Sequence, residues 1–216
     1  PVLDVDRDTS SIIGNRAFSN DPDLLIQLAR KFINGMNEAG MQATGKHFPG
    51  HGGIFEDSHL LEPVDSRSLE KLLENDLQPF IELKDSLAAI MTAHIAFPKI
   101  DSDCVSYSSI WIKEILRKKL TFDGVVFSDD LSMKGAGNGS MGEKALKSIE
   151  AGCDVVLVCN DNIGTLDVID AFEKNGVQTS TKIQILQNSA HIDWNELNSQ
   201  DRVRDIKNLI KEMERE

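Results

Sequence analysis

Residues 123–130 read DGVVFSDD, a short apolar run between a glycine and two carboxylates. Consecutive valine and phenylalanine residues, without polar alternation, predict a β-strand that is covered on both faces. The run ends in Asp129 and Asp130, so the strand would deliver two ionisable groups to one end of a sheet. The same arrangement, an apolar run with a polar end, recurs elsewhere along the chain.

Strand-like and helix-like stretches alternate through the sequence. The helix predicted for residues 22–39 is typical, because Asn20 and Asp21 can cap its start and Gly40 ends it. Alternating helices and near-continuous apolar strands predict a parallel sheet with both faces covered. The predicted strands are 1–6, 41–48, 88–94, 123–130 and 153–159, and the other predicted helices are 68–85, 109–119, 141–151, 163–174 and 201–216.

The ends of the predicted strands distinguish between two parallel folds. In a (β/α)8 barrel the strand ends converge on one rim, where active sites lie, and polar groups at successive strand ends fit that rim. A doubly wound dinucleotide-binding sheet would instead carry a glycine-rich fingerprint after its first strand, and this sequence has none there. The pattern therefore favours a barrel. The strand-end groups are Asp4, Asp6, Lys46, His47, His94, Asp129 and Asp130.

The predicted strands are too few for a whole barrel. A barrel has eight strands and ~250 residues, whereas this chain has 216 residues and about five predicted strands. We therefore predict an α/β protein, a (β/α)8 TIM-type barrel of which the chain carries roughly the C-terminal five strands. The first strands would belong to an N-terminal portion that the chain lacks. Residues 1–216 are expected to form a single catalytic barrel domain.

Composition limits the class of partner. The chain is 40% hydrophobic and 27% charged, as in ordinary soluble proteins. Its formal net charge of -12 disfavours nucleic acid, which needs a clustered basic surface. Cys104, Cys153 and Cys159 are widely spaced and include no CxxC pair, so we expect reduced thiols in a cytoplasmic protein. No apolar run reaches the ~18 residues of a membrane span, and we expect no membrane partner.

A glycine-rich loop follows the strand predicted for residues 41–48. It reads GKHFPGHGG at residues 45–53 and continues to Asp57, Ser58 and His59. The proline and the glycines disfavour a helix here, and such loops are where binding and catalysis concentrate. In one interpretation Asp57 orients His59, which moves a proton at neutral pH. In the other, the pair only orders the loop.

The same loop fits a metal site on residue type alone. His47, His51, Asp57 and His59 are all groups that zinc accepts as ligands. A His-x3-His pair converges on a metal because a helix aligns positions i and i+4, and Pro49 with its neighbouring glycines removes that helix. Metal binding is therefore the lesser alternative, and we expect no metal and no other cofactor.

Asp129 and Arg16 are further candidates. A carboxylate at the end of a buried strand costs desolvation free energy, which a functional site tolerates more readily than a structural one. It can act as a covalent nucleophile toward an anomeric carbon. The alternative is structural, with Asp129 in a salt bridge and Asp130 capping the next turn. Arg16 lies in the loop after the first predicted strand, where ligand contact competes with plain solvation.

Taken together, these motifs resemble the bacterial β-N-acetylglucosaminidases of glycoside hydrolase family 3, which are cytoplasmic enzymes of peptidoglycan recycling. The similarity rests on GKHFPGHG at residues 45–52, on the DSH triplet at 57–59 and on FSDDLSM at 127–133, with further matches along residues 1–160. The related β-glucosidases of the family lack the histidine of the triplet. The glycine-rich loop 134–142 departs from the usual continuation of the family.

The resemblance implies a retaining mechanism in which a histidine replaces the usual second carboxylate. Asp129 would be the nucleophile, His59 the general acid/base, and Asp57 the partner that orients His59. Retaining glycosidases hold their two reacting groups ~5–5.5 Å apart. Closure of a mobile loop over the rim would then assemble the site and exclude water.

The resemblance also implies a substrate. Arg16, Lys46 and His47 would bind a terminal N-acetylglucosamine, and the reaction would release it from muropeptide fragments of peptidoglycan. The protein would be a monomer with a small-molecule carbohydrate substrate. Two other functions stay open: a metal-dependent hydrolase that uses the histidine loop, and a noncatalytic carbohydrate-binding fragment.

Overall fold

The computed structural model describes residues 1–7, 13–51, 53, 63–187 and 193–213. Its strands, in chain order, are β1 (Thr44–Phe48), β2 (Ala89–Thr92), β3 (Ala96–Phe97), β4 (Asp101–Cys104), β5 (Val125–Asp130) and β6 (Val155–Leu157). β1, β2, β5 and β6 form one parallel sheet in that order, and β3 and β4 form a separate antiparallel pair. The predicted parallel α/β arrangement is confirmed.

Helices connect the parallel strands, as the alternating pattern predicts. The helix predicted for residues 22–39 is confirmed, and the side chain of Asp21 caps it by accepting from the backbone N–H of Asp23 at 2.9 Å. No helix in the described ranges has the length and apolar character that a membrane crossing requires. The α-helices are α1 (Pro22–Glu38), α2 (Leu69–Leu73), α3 (Gln78–Leu83), α4 (Met141–Ala151), α5 (Asn162–Asn175), α6 (Trp194–Ser199) and α7 (Asp201–Met213), and a π-helix spans Ile110–Lys119.

The strand predicted for residues 1–6 is present only as a single bridge. Val2 pairs in parallel with Lys46 on the free edge of β1, and the N–H of Leu3 donates to the Lys46 carbonyl at 2.6 Å. The N–H of Asp6 donates to the Ser19 carbonyl at 3.2 Å instead of to β1. The chain therefore leaves the sheet just where its polar residues begin.

The prediction of one continuous helix over residues 68–85 is wrong. The chain forms α2 and α3 there, separated by a turn at residues 74–77. The fully buried carboxylate of Asp76 in this turn accepts from Arg7 at 2.6 Å and from Arg67 at 2.7 Å. The turn places Asp76 in the interior, where its carboxylate accepts these charge-assisted hydrogen bonds. The spacing of apolar residues in the sequence does not predict such a break in the helix.

One face of the parallel sheet packs against helices and forms the core. Ile90 of β2 and Val126 of β5 are fully buried on this face. Phe48, at the end of β1, packs edge-to-face on Phe80 of α3 with ring centroids 5.4 Å apart, and on Trp111 of the π-helix at 5.9 Å. Such aromatic pairs add to the free energy gained from burial. They hold the carboxyl end of β1 in place.

The opposite face of the sheet is open among the described residues. Met91 of β2, Phe127 of β5 and Leu157 of β6 line a cavity of about 520 Å³ together with Phe32 and Met36 of α1. The inward face of a barrel is filled by side chains of its own strands and not by helices, so an open face of this kind agrees with a barrel.

Candidate active site

The carboxyl ends of the parallel strands meet around one small cavity. It has a volume of about 190 Å³, and its lining includes Arg16, Lys46, His47, Asp129 and Asp130. Parallel strands present their carboxyl ends at the same edge, which explains how residues more than eighty positions apart come together. Four of the predicted site residues, Arg16, Lys46, His47 and Asp129, therefore share one cavity.

A buried carboxylate organises the histidines of this cavity. Asp4 is fully buried and accepts from Nδ1 of His47 at 2.7 Å and from the backbone N–H of His51 at 2.7 Å. Burial alone would raise the pKa of Asp4, but attraction to His47 and the hydrogen bonds from both histidines bring this pKa below its ordinary value. The ionised carboxylate thereby holds the His47 ring in one orientation.

The sequence pattern predicts Asp4 at a strand end but predicts no role for it in the site. In the sequence, Asp4 is an acidic residue within an apolar run, a feature that could have marked it as a candidate. The bridge at Val2 shows that this segment lies beside β1. His51 shares the cavity, and burial lowers the pKa of its imidazole in spite of the nearby Asp4 carboxylate.

The backbone of the glycine-rich loop turns sharply after β1. The peptide bonds Lys46–His47 and Phe48–Pro49 are cis, and the N–H of Gly50 donates to the His47 carbonyl at 2.8 Å. Gly50 has a φ of +128°, and a Cβ added there would lie 2.8 Å from the Cβ of Asp76. Only glycine meets both conditions. This turn brings the backbone of His51 back to Asp4.

Asp129 and Asp130 have different surroundings, although they are neighbours in the sequence. The carboxylate of Asp130 accepts from the N–H and the hydroxyl of Ser132, at 3.0 and 2.5 Å, and from the N–H of Cys159 at 3.0 Å. Partial burial opposes its ionisation, yet these hydrogen bonds lower the pKa of Asp130. Asp130 therefore supports the turn after β5, as the structural interpretation predicts for this residue.

The carboxylate of Asp129 is more weakly engaged. In the part of the chain that the structure describes, its one hydrogen bond comes from the N–H of Asp130, at 2.8 Å. It borders the cavity that Arg16, Lys46 and His47 also line. An acceptor with spare lone pairs at the edge of a cavity is available to a ligand, so the carboxylate of Asp129 is more accessible to one than that of Asp130.

His94 is a second residue near the site for which the sequence pattern predicts no role. Its Nε2–H donates to the backbone carbonyl of Asp130 at 3.1 Å, and the ring is almost fully buried. Burial lowers the pKa of His94 even though Asp129 lies nearby and favours the charged form. A neutral imidazole with its proton on Nε2 follows, so His94 supports the strand end that carries Asp129.

Asp57 and His59 lie outside the described residues, so their predicted roles as orienting carboxylate and general acid/base stay predictions. The proposed metal set of His47, His51, Asp57 and His59 also includes these two positions. Within the ranges that the structure describes, no group of three or more histidine, cysteine, aspartate or glutamate side chains is arranged to hold a metal ion. The rings of His47 and His51 lie 6.1 Å apart between centroids.

Known proteins resemble this chain both in sequence and in fold. A curated β-hexosaminidase of Idiomarina loihiensis is 51% identical over 172 residues, which are 79% of this chain and 52% of the relative. The crystal structure of NagZ from Neisseria gonorrhoeae in complex with N-trifluoroacetyl-D-glucosamine matches with a TM-score of 0.85 and 36% identity, over 97% of this chain and 61% of that one. A structure of the same neisserial protein in complex with zinc ion matches with a TM-score of 0.80 and 36% identity, over 95% of this chain and 59% of that one.

The chain thus spans about half the length of the curated relative that it matches. The similarity to the neisserial structure confirms the predicted TIM-type α/β fold, of which this chain carries a part. The family model described as "Glycosyl hydrolase family 3 N terminal domain" matches residues 1–193. The chain belongs to glycosyl hydrolase family 3.

Proposed function

We propose that the protein is a retaining exo-β-N-acetylglucosaminidase, which removes terminal non-reducing N-acetylglucosamine from peptidoglycan fragments. One observation carries the proposal: Asp129, at the carboxyl end of β5, borders the same small cavity as Arg16, Lys46 and His47. A carboxylate acceptor facing three nitrogen donors suits a hydroxyl-rich ligand with a reacting carbon.

Arg16, Lys46 and His47 bind the sugar in this proposal. The guanidinium and the ammonium donate hydrogen bonds to sugar hydroxyls and to the acetamido carbonyl. His47 contributes Nε2, because Nδ1 is held by Asp4 at 2.7 Å. A cavity of about 190 Å³ suits one sugar ring, which favours removal of a terminal unit over internal cleavage.

The reaction proceeds in two steps. In the first, an oxygen of Asp129 bonds to the anomeric carbon while the bond to the leaving oxygen breaks, and His59 gives its proton to that oxygen. In the second, water attacks the anomeric carbon, its proton passes to His59, and the bond to Asp129 breaks. Asp57 orients the imidazole throughout. Retention of configuration follows from two successive inversions.

The finer parts of the proposal rest on the named relative and on the motif resemblance. The relative's name, β-hexosaminidase, supports an aminosugar substrate. The resemblance to peptidoglycan-recycling enzymes supports muropeptide fragments as the source of that sugar and the cytoplasm as the location. We propose a monomer in which residues 1–216 belong to one catalytic domain.

A covalent-trapping experiment tests the nucleophile. The natural protein is incubated with a 5-fluoro N-acetylglucosaminyl fluoride, which slows the second step more than the first, and is then digested and examined by mass spectrometry. We expect one added 5-fluoro-N-acetylglucosaminyl group, with fluoride released from the anomeric carbon, and fragmentation of the peptide should assign the group to Asp129. An adduct on Asp130, or turnover with inversion at the anomeric carbon, would overturn the mechanism.

A metal-dependent hydrolase is the second candidate, because the neisserial relative has been solved in complex with zinc ion and because His47 and His51 line the cavity here. Hydrolysis of an aryl N-acetylglucosaminide is compared before and after treatment with a strong chelator. Unchanged turnover supports the carboxylate mechanism, whereas loss of turnover that zinc restores supports the metal. Tight sugar binding without any hydrolysis would instead indicate a noncatalytic carbohydrate-binding protein.

A further inference from the structure

His94 follows the carboxyl end of β2, beside the end of β5 that carries Asp129. β2 and β5 pair in parallel, and their last partners in register are Met91 and Phe127. Just beyond β2, the imidazole of His94 donates from Nε2 to the backbone carbonyl of Asp130 at 3.1 Å. The ring is only 1% exposed, so water does not compete for this hydrogen bond.

Asp130 links His94 to the carboxylate of Asp129. The carbonyl of Asp130 accepts from His94, while its N–H donates to Oδ1 of Asp129 at 2.8 Å. Both groups belong to one residue's backbone, so a rotation of Asp130 that breaks one hydrogen bond also moves the other. The N–H of Cys159 holds the Asp130 side chain from the side of β6, and His94 holds its carbonyl from the side of β2. The direction in which the Asp129 carboxylate points therefore depends on His94.

The ring of His94 is itself held in place by its surroundings. Ala93, its neighbour in the chain, donates its N–H to the carbonyl of Phe48 at 2.8 Å, and its own carbonyl accepts from the hydroxyl of Ser106 at 3.3 Å. The ring of Tyr107 packs against the imidazole, with centroids 6.1 Å apart. A side chain that is fixed by its backbone and by packing can hold a reacting group to within ~0.5 Å, as catalysis requires.

The hydrogen bond to Asp130 fixes the tautomer of His94. A carbonyl oxygen can only accept, so the proton of the neutral ring is on Nε2 and Nδ1 has none. Nδ1 is buried and has no hydrogen-bond partner among the described residues. Burial lowers the pKa of the imidazole, although Asp129 favours its charged form. A neutral donor orients the strand end without placing a positive charge beside Asp129, where it would stabilise the carboxylate against reaction.

We propose that His94 is a positioning residue of the reaction: its Nε2–H, acting through the backbone of Asp130, sets the orientation of the Asp129 carboxylate toward the anomeric carbon. This inference rests on the proposed function, because it assigns a supporting residue to the nucleophile named there. His94 touches neither the sugar nor the leaving group in this role. Its loss therefore slows the formation and breakage of the bond to Asp129, and leaves the binding of the sugar by its nitrogen donors unchanged.

Two carboxamide substitutions test this assignment. The side-chain nitrogen of glutamine lies as many bonds from the backbone as Nε2 of histidine, so His94→Gln can still donate to the Asp130 carbonyl, whereas the shorter His94→Asn cannot reach it. With an aryl N-acetylglucosaminide we expect kcat to fall on the order of 10²-fold in His94→Asn, the cost of displacing a reacting group by ~1 Å. His94→Gln should lose less than about 10-fold, and KM should stay within about 2-fold of wild type in both. Equal losses of kcat, no loss in either variant, or a change in KM alone overturns the proposal.

Val126→Ala is the control for a general loss of stability. Val126 is fully buried in β5 and packs in the core, so the smaller side chain leaves a cavity and lowers the midpoint of thermal unfolding. The hydrogen bond from His94 to Asp130 is kept. We expect kcat, measured well below the unfolding midpoints of both variants, to fall in His94→Asn and to stay near the wild-type value in Val126→Ala. An equal loss in Val126→Ala would mean that destabilisation of β5 is the cause, which overturns the proposal.

Two measurements without turnover separate this inference from the proposed function. Long-range ¹H–¹⁵N spectra of the natural protein, with the His94 signals identified by their loss in His94→Gln, should show a ring protonated on Nε2. A ring protonated on Nδ1 alone, or in exchange between the tautomers, overturns the assignment.

Crystal structures of the natural protein and both variants then locate the Asp129 carboxylate. A displacement of about 1 Å in His94→Asn, absent from His94→Gln, supports the positioning role even if the natural protein hydrolyses no N-acetylglucosaminide, an outcome that overturns the proposed function alone. The same carboxylate position in all three structures overturns the role of His94 and leaves the proposed function standing.

Discussion

Oδ2 of Asp4 lies 2.7 Å from Nδ1 of His47, and this buried contact joins the edge segment of the sheet to the loop after β1. The carboxylate also accepts from the N–H of His51, so one side chain orients both a ring and a turn. Because Asp4 occupies Nδ1, the imidazole of His47 can offer only Nε2 to a ligand. The orientation of a proposed sugar-binding residue therefore depends on a residue forty-three positions earlier.

This contact predicts a loss of stability in acid. Attraction to His47 and the hydrogen bonds that Asp4 accepts outweigh the cost of burial, so its pKa in the folded protein lies below the ~3.9 of the unfolded chain. The stabilisation is complete above ~3.9 and is lost as the pH falls through the lower folded value. We expect Asp4→Asn to be less stable by about 3 kcal/mol at pH ~7, and the difference to shrink below pH ~4. Thermal unfolding across this range measures it, and a pH-independent difference would contradict the assignment.

Replacement by asparagine is predicted to lower kcat far more at Asp129 than at Asp130. Asp129→Asn removes the proposed nucleophile, and we expect kcat for an aryl N-acetylglucosaminide to fall by on the order of 10⁴-fold. Asp130→Asn keeps an oxygen that can accept from Ser132 and Cys159, so we expect less than about a 10-fold loss. Steady-state kinetics of both variants decide the matter. Equal losses would mean that the two carboxylates act as a unit.

Gly50→Ala tests the turn after β1. The positive φ of +128° and the 2.8 Å approach of a Cβ to Asp76 both oppose alanine, and we expect a destabilisation of about 2–3 kcal/mol. Gly35 of α1 is the control, because a Cβ there meets nothing within 4 Å and its φ is not positive. Gly35→Ala should stabilise the protein by about 0.5–1 kcal/mol. Denaturant unfolding compares the two, and a harmless Gly50→Ala would mean that the turn is not needed.

Asp76→Asn tests the buried ion-pair cluster. The fully buried carboxylate serves Arg7 and Arg67. Its neutralisation removes the one counter-ion that Arg7 has among the described residues, whereas Arg67 keeps Asp65 at 2.6 Å. We expect the free energy of unfolding to fall by about 3 kcal/mol. Glu114→Gln is the matched neutralisation of an exposed pair, Lys118–Glu114 at 2.6 Å, and should change stability by less than about 0.5 kcal/mol. Similar effects of the two substitutions would show that burial does not strengthen the Asp76 cluster.

The sequence was sufficient for the fold class because the evidence for it is local. The apolar runs of β2 and β5, the capped α1 and the polar strand ends all lie within short stretches, and the structure has each of them as predicted. The single helix predicted over residues 68–85 is wrong because its break depends on Asp76, which pairs with the nearby Arg67 and with Arg7, a residue 69 positions away. The β3–β4 pair was not predicted, since strands of two and four residues carry almost no periodicity.

For the candidate site, too, the sequence predicts some features and the tertiary structure supplies others. The strand-end pattern in the sequence predicts that Lys46, His47, Asp129 and Asp130 meet at one edge. The resemblance to the family added Arg16 and implied the roles of Arg16, Lys46, His47 and Asp129. The tertiary structure adds a physical difference between Asp129 and Asp130, which both line the cavity: hydrogen bonds from Ser132 and Cys159 engage the carboxylate of Asp130, whereas that of Asp129 accepts only from the N–H of Asp130 among the described residues. The contacts of Asp4 with His47 and His51 are likewise evident only in the tertiary structure. Strand periodicity places a side chain on a face and at an end, but which neighbour reaches it across the sheet is settled by packing over long sequence separations.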